Sequence, residues 1–242
     1  MREVVLDTET TGFDPETGDR IVEIGALELL NHMPTGRTFH VYLNPERGMP
    51  EGAFGVHGIG CDLLDPPRIP QPGQITLRDK PLFSAVVRQF LDFIGDAKLI
   101  AHNAGFDMKF LNAELRRVNQ PALPWARAID TLDMAKQKYP GSPASLDALC
   151  RRFGIDNSGR TLHGALLDSE ILAEVYLELI GGRQPDFALS AVTAMTKAVA
   201  GSWRPGLRPK SLPARITEGE RNAHQTFVDQ MGDAAIWAKY RD

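Results

Sequence analysis

Apolar positions along the chain alternate between a period of two and a period near 3.6, and the switches mark a series of short strands and amphipathic helices. The runs predict strands near residues 3–8, 20–30, 37–43, 98–102 and 127–130. Helical spacing predicts helices over 82–94, 103–118, 131–138, 144–153 and 164–180. Phe106, Phe110, Leu111 and Leu115 form the buried stripe of the second helix, for which Asn103 is the expected N-cap; Leu167, Ile171, Val175 and Leu179 form that of the last. This order predicts an α/β domain with a central sheet covered by helices on both faces. The run from Leu64 to Pro81 carries Pro66, Pro67, Pro70, Pro72 and Gly73, the composition of a stiff surface loop.

The pattern changes after Ile180. Gly181 and Gly182 end the last domain helix, and Ser202 to Arg215 interleaves Arg204, Arg208, Lys210 and Arg215 with three prolines, as a solvated semi-rigid linker does. Thr217 and Glu220 then stand at capping-box spacing, so another helix begins there, with Ala223, Phe227 and Met231 on one stripe and Ile236, Trp237 and Tyr240 following. A short helix cannot bury such a stripe alone, so it is expected to dock on another surface, either a partner or its own domain. The division expected is 1–182 for the folded domain and 183–242 for a tail.

With 242 residues, 43% of them apolar, the chain can bury one substantial core, and no run is long enough to cross a membrane. Cys61 and Cys150 lack metal or redox spacing, and no signal-like start appears, which together predict a reduced, cytoplasmic protein. The net charge of −4 is unevenly spread: 18 basic and 25 acidic residues fall within 1–182, against 9 and 6 in 183–242. An acidic domain cannot grip phosphate backbones strongly by releasing counterions, so any nucleic acid would be held at a short end and with a partner's help.

Candidate chemistry lies in three blocks: Asp7-Thr8-Glu9-Thr10-Thr11-Gly12, His102-Asn103-Ala104-Gly105-Phe106-Asp107 and His163-Gly164-Ala165-Leu166-Leu167-Asp168. Asp7 and Glu9, two apart on a strand, leave the same face at its carboxyl end. Asp107 falls in the first turns of a helix that follows a strand, at the same edge of the sheet. On a continuous helix His163 and Asp168 would diverge by about 140°, so His163 must precede the helix, with Gly164 at the bend. Clustered carboxylates repel one another unless hard cations fill the site, which points to two divalent ions, Mg²⁺ or Mn²⁺, and to phosphodiester cleavage.

The order Asp-x-Glu, a distant Asp, then His-x4-Asp resembles the DEDDh 3′→5′ exonucleases, and all five signature positions are filled. With Phe39 to Leu43 and Gly55 to Ile59, the chain is most similar to the branch of that family made of the proofreading subunits of bacterial DNA polymerase III. The resemblance implies a ribonuclease H-like fold with a five-stranded mixed sheet, its second strand antiparallel. It implies that Asp7 bridges both metals, that Glu9 and Asp168 complete the first shell, and that Asp107 holds the second metal through water. His163 would be the general base, since its ordinary pKa of about 6.5 suits deprotonation of water near neutrality. Thr10 and Thr11 would meet the terminal 3′ hydroxyl, and His57 would line the nucleotide pocket, unless Val56 and Ile59 merely pack it into a turn. Asp7, Glu9 and Asp168 would also border the substrate.

The partners implied are a frayed single-stranded DNA 3′ end, the polymerase III catalytic subunit and the sliding clamp; whether a small third core subunit also binds is left open by the sequence. Gln184, Phe187 and Leu189 resemble a clamp-binding peptide, and Phe227 and Trp237 are the expected polymerase anchors. Two other functions fit parts of the pattern: a free-standing exoribonuclease of the same family trimming RNA 3′ ends, and a mainly structural adaptor between polymerase and clamp. Five intact site residues weigh against the adaptor, and the tail weighs against the unattached trimmer.

Overall fold

A computed structural model describes residues 1–159, 162–182 and 216–232. The chain divides into two compact units, Met1–Ala188 and Leu189–Asp242. In the first, β1 (Arg2–Thr10), β2 (Ile21–Leu30), β3 (Met33–Tyr42), β4 (Lys98–Ala101) and β5 (Ala128–Asp130) make one sheet in the order β3-β2-β1-β4-β5. β2 is antiparallel to β1 and β3, whereas β1, β4 and β5 run parallel. The helices are α1 (Glu51–His57), α2 (Phe83–Ile94), α3 (Ala104–Arg117), α4 (Thr131–Lys138), α5 (Leu146–Phe153) and α6 (Ala165–Leu179).

Alternation along β1 divides the core in two. Val4 and Leu6 join α2 and α3 on one face around Phe90, Phe110 and Leu111, while Val5 joins α4, α5 and α6 on the other around Leu149, Leu172 and Val175. A third cluster, holding Val22, Met49, Ile59, Leu64 and Leu77, pins both ends of the proline-rich loop, and Ile69 at its middle is exposed. Cys61 and Cys150 are buried free thiols.

The predicted elements form with shifted ends and some corrections. α1 has no counterpart among the predicted helices, because Gly52 and Gly55 erase its helical signal. β3 begins earlier, at Met33, including Pro34 and Gly36; it is an edge strand, where a missing ladder donor is tolerated. Asn103 precedes α3 but makes no side-chain cap: it adopts φ 68°, and its backbone N–H donates to Asp130 Oδ1 at 3.1 Å. Leu167 is exposed, and the α6 stripe is completed instead by Leu172 and Tyr176, whose hydroxyl donates to buried Glu3 at 2.8 Å. α6 ends in a left-handed cap, with the Gly182 N–H reaching back to Leu177 O at 2.8 Å.

In the second unit, α7 (Glu218–Gln230) starts with the expected reciprocal box: Thr217 Oγ1 accepts from the Glu220 N–H and Glu220 Oε2 accepts from the Thr217 N–H. Phe227 and Met231 are exposed. Gln184, Phe187, Leu189 and Trp237 lie outside the described residues.

Candidate active site

The sheet order reverses at β1, whose neighbour on one side is β2 and on the other the later strand β4, and crevices at the carboxyl ends of strands open at such points. Asp7 and Glu9 occupy that end of β1, and His102 and Asn103 follow β4. Asp7 and Glu9 point to the face that packs α6, which brings Asp168 in its first turn. Asp107 arrives from α3 on the opposite face, where Thr8 Oγ1 donates to its Oδ1 at 2.8 Å. The strand end is thus held between two helices, and the five motif residues meet around it.

Glu9, His163 and Asp168 come closest: each offers a ligand atom within 4.8 Å of the others. His163 Nδ1 lies 3.3 Å from Asp168 Oδ2, and its ring is about half exposed while Asp168 is buried. His163 stands before α6, with Gly164 extended at φ −153°, ψ 121°, the bend that the spacing requires. Asp7 and Asp107 are not members of this closest group, but they share its field.

That field is strongly negative. Burial drives the Asp7 carboxyl well above the usual range, and repulsion from Asp107, Glu9, Asp168 and Glu23 adds to it. Burial also pushes Asp107 up to about 7, against the opposing hydrogen bonds from Thr8 and the backbone. Buried acids that resist ionisation because they are desolvated and, at Asp7, also repelled by their neighbours, with oxygen and imidazole donors in one cluster, fit a divalent cation. Glu9, His163 and Asp168 are the residues placed to hold it, with Asp7 and Asp107 beside them.

Two clefts flank the carboxylates. One, of about 600 Å³, is lined by Asp7, His102, Ser145, Asp147, His163 and Asp168 among others. The other, of about 630 Å³, runs along Thr8 to Asp14, the start of α1 and Phe106, and includes Thr10, Thr11 and His57. Its wall is mostly apolar, and Phe13 at its mouth is 89% exposed. His57 is both buried and pocket-lining: its Nδ1 accepts from the Ile59 N–H at 3.1 Å, and Ile59 is buried while Val56 is exposed. Burial holds the His57 pKa below the usual histidine value, opposed by the Thr10 backbone and Glu23 and assisted by nearby His163. The proline-rich loop lines neither cleft.

Several site residues were not read from the sequence. Thr8, the support of Asp107, lay inside a recognised motif without a role of its own. Phe13 follows the Thr-Thr-Gly turn, and an apolar residue at that place was the available signal. Glu23 carries no local signal, because its partner, the Ala165 N–H at 3.1 Å, is 142 positions away.

Comparison with known proteins agrees with this arrangement. The family model described as Exonuclease matches residues 4–176. The chain is 52% identical to the DNA polymerase III subunit epsilon of Rickettsia conorii, over 96% of both chains. It is 40% identical to the subunit of the same name from Escherichia coli K12, over 98% of this chain and 97% of that one. Among solved structures, the nuclease domain of 3′hExo, a DEDDh family member bound to rAMP, superimposes with a TM-score of 0.59 at 22% identity, over 74% of this chain and 91% of that one. That last likeness shows the shared ribonuclease H-like fold. The fold, the five gathered motif residues and near-full-length relatedness together place the chain in the DNA polymerase III epsilon-subunit family of exonucleases.

Proposed function

We propose that this chain is the metal-dependent 3′→5′ exonuclease that proofreads for the replicative DNA polymerase, removing mispaired 3′-terminal nucleotides as 5′-monophosphates. The observation that carries the reading is the meeting of Asp7, Glu9, Asp107, Asp168 and His163 at one strand end beside an apolar cleft. The family is divalent-metal dependent; the finer reading is two ions, Mg²⁺ or Mn²⁺, between Asp7, Glu9, Asp107 and Asp168. Bound there, they would neutralise the charge that develops on the scissile phosphate.

The residues supply the rest. His163 accepts a proton from the attacking water on the ring nitrogen not turned toward Asp168, and Asp168 orients that ring. Thr10 and Thr11 hold the terminal 3′ hydroxyl, while His57, Phe106 and Phe13 provide the walls against which the terminal nucleotide rests. An apolar wall accepts any base, as proofreading requires, so selection of errors rests on how readily the end frays.

Membership of the epsilon family implies association with DNA and the polymerase III core. In the finer reading, Phe227 and Trp237 anchor the polymerase catalytic subunit, Gln184, Phe187 and Leu189 contact the sliding clamp, and a small third subunit completes the core. No helix among the described residues is long and apolar enough to cross a membrane. With two free buried thiols, a cytoplasmic setting is the reading adopted. Copurification from cells tests the assignment: recovery of a polymerase catalytic subunit with the full chain supports it, and recovery of the chain without one refutes the subunit role.

A further inference from the structure

Glu23 lies on β2 directly opposite Glu9 of β1 and is 2% exposed. A second buried acid beside a carboxylate cluster adds repulsion, and its charge does raise Asp7. Its place there is explained by what it holds. His40 Nε2 on β3 lies 2.6 Å from Oε1, the Tyr42 hydroxyl hydrogen-bonds the same carboxyl group, and Oε2 accepts from the Ala165 backbone N–H at 3.1 Å. Ala165 is the first residue of α6, between His163 and Asp168.

The rest of β2 is shaped to the same helix end. A Cβ at Gly25 would lie 2.2 Å from the Ala165 carbonyl carbon and the Leu166 nitrogen, so α6 begins directly on the strand backbone. Ser169 Oγ lies 3.0 Å from Gly25 O and 2.7 Å from Ala165 O, tying the first turn down again. Gly164, the N-cap residue, offers no side chain to the open amides of the helix, and Glu23 supplies an acceptor from outside.

We propose that Glu23, oriented by His40 and Tyr42, is a positioning residue for hydrolysis: it fixes the first amide of α6 and so sets His163 against Asp168. The inference rests on the exonuclease reading. Thr8 holds Asp107 on the α3 side; on the α6 side Glu23 acts beside the Ser169–Gly25 contact and the His163 N–H, which donates to Val56 O at 3.2 Å.

The test uses the full chain, Mn²⁺ and a single-stranded DNA oligonucleotide, with kcat and KM measured separately. Glu23→Ala should lower kcat at least about 10-fold with KM within about 2-fold, because small misplacements of catalytic groups cost that much or more. Glu23→Gln keeps an oxygen for the Ala165 N–H and should recover to within about 3-fold of wild type, a rescue governed by that one contact. Ala165→Pro deletes the donor at a first-turn position where helices accept proline and Gly164 is already extended; it should lower kcat about as much as Glu23→Ala, and the double variant should add little. In NMR spectra of the metal-free protein, Glu23→Ala should speed solvent exchange of the Ala165 amide while leaving amides late in α6 unchanged. If Glu23→Ala does not fold, half-exposed His40→Ala takes its place, with the same kcat-selective loss expected. Wild-type kcat in Glu23→Ala, equal damage in Glu23→Gln, or losses that multiply in the double variant would overturn the proposal. A wild-type chain that cannot shorten DNA would instead refute the exonuclease reading.

Discussion

Replacing Asp107 with asparagine should make the metal-free protein more stable while disabling it. Asp107 is 2% exposed, and burial, with the charge of Asp130 adding to it, pushes its pKa up to about 7 from the usual 3.8. The unfolded chain releases this proton more readily than the folded one, so between roughly pH 4 and pH 7 the unfolded state binds fewer protons and stability falls as pH rises. About three pKa units at about 1.36 kcal/mol each set a ceiling near 4 kcal/mol. Asparagine keeps the side chain's size and an oxygen for the Thr8 hydroxyl, now 2.8 Å from Oδ1, and removes the charge. With relaxation taking about half of the ceiling, Asp107→Asn should gain about 2 kcal/mol at pH 8 in EDTA, or roughly 4–8 °C in Tm for a domain of this size. The gain should be small near pH 4, where the folded acid is still protonated and the unfolded one is about half ionised. Adding Mg²⁺ should stabilise wild type more than the variant, since only wild type keeps the full ligand set. The assay is thermal unfolding from pH 4 to 8, with EDTA and with Mg²⁺. A wild-type Tm that stays flat across that range in EDTA, or a less stable variant at pH 8, would refute the reasoning.

Asp7→Ala and Asp168→Ala should abolish hydrolysis while Tm in EDTA stays level or rises, because each removes a ligand and a source of repulsion; wild-type rates in either would sink the metal assignment. His163→Ala should lose roughly 10²- to 10⁴-fold in rate with metal binding by calorimetry little changed, the signature of a base. His163 sits within ligand reach of Glu9 and Asp168, so a large loss of metal affinity would identify it as a ligand instead. A chain ending at Ile180 keeps all five site residues on the sheet and should degrade single-stranded DNA near the full-length rate but no longer coelute with polymerase in gel filtration. Changing Gln184, Phe187 and Leu189 together to alanine should weaken coelution with the clamp alone; loss of the polymerase as well would show that the two contacts are not separate.

The parts of the site that could be read in the sequence are those carried by short-range pattern. Asp7 and Glu9 end an apolar run, so their strand and face followed from a period of two, and the bend at Gly164 followed from the angle between His163 and Asp168. What escaped reading depends on contacts between distant residues. Thr8 meets Asp107 across 99 positions and Glu23 meets Ala165 across 142, and neither pair leaves a local trace. α1 was hidden by its glycines although it carries His57 into the cleft. Asn103 looked like a helix cap because its side chain suits one, yet the tight turn out of β4 demanded a left-handed residue, which asparagine also tolerates. Leu167 matched the helical period, but the close seating of α6 on Gly25 rotates the buried face toward Leu172 and Tyr176.

The most direct test is shortening of a 5′-labelled DNA primer on a template, with the 3′ end matched or mispaired, by the full chain in Mg²⁺. Single nucleotides should be lost from the 3′ end as 5′-monophosphates, faster from the mispaired end, and none should be lost after Asp7→Ala. Cleavage inside the primer, equal rates at matched and mispaired ends, or faster shortening of an RNA strand of the same sequence would contradict the proofreading role.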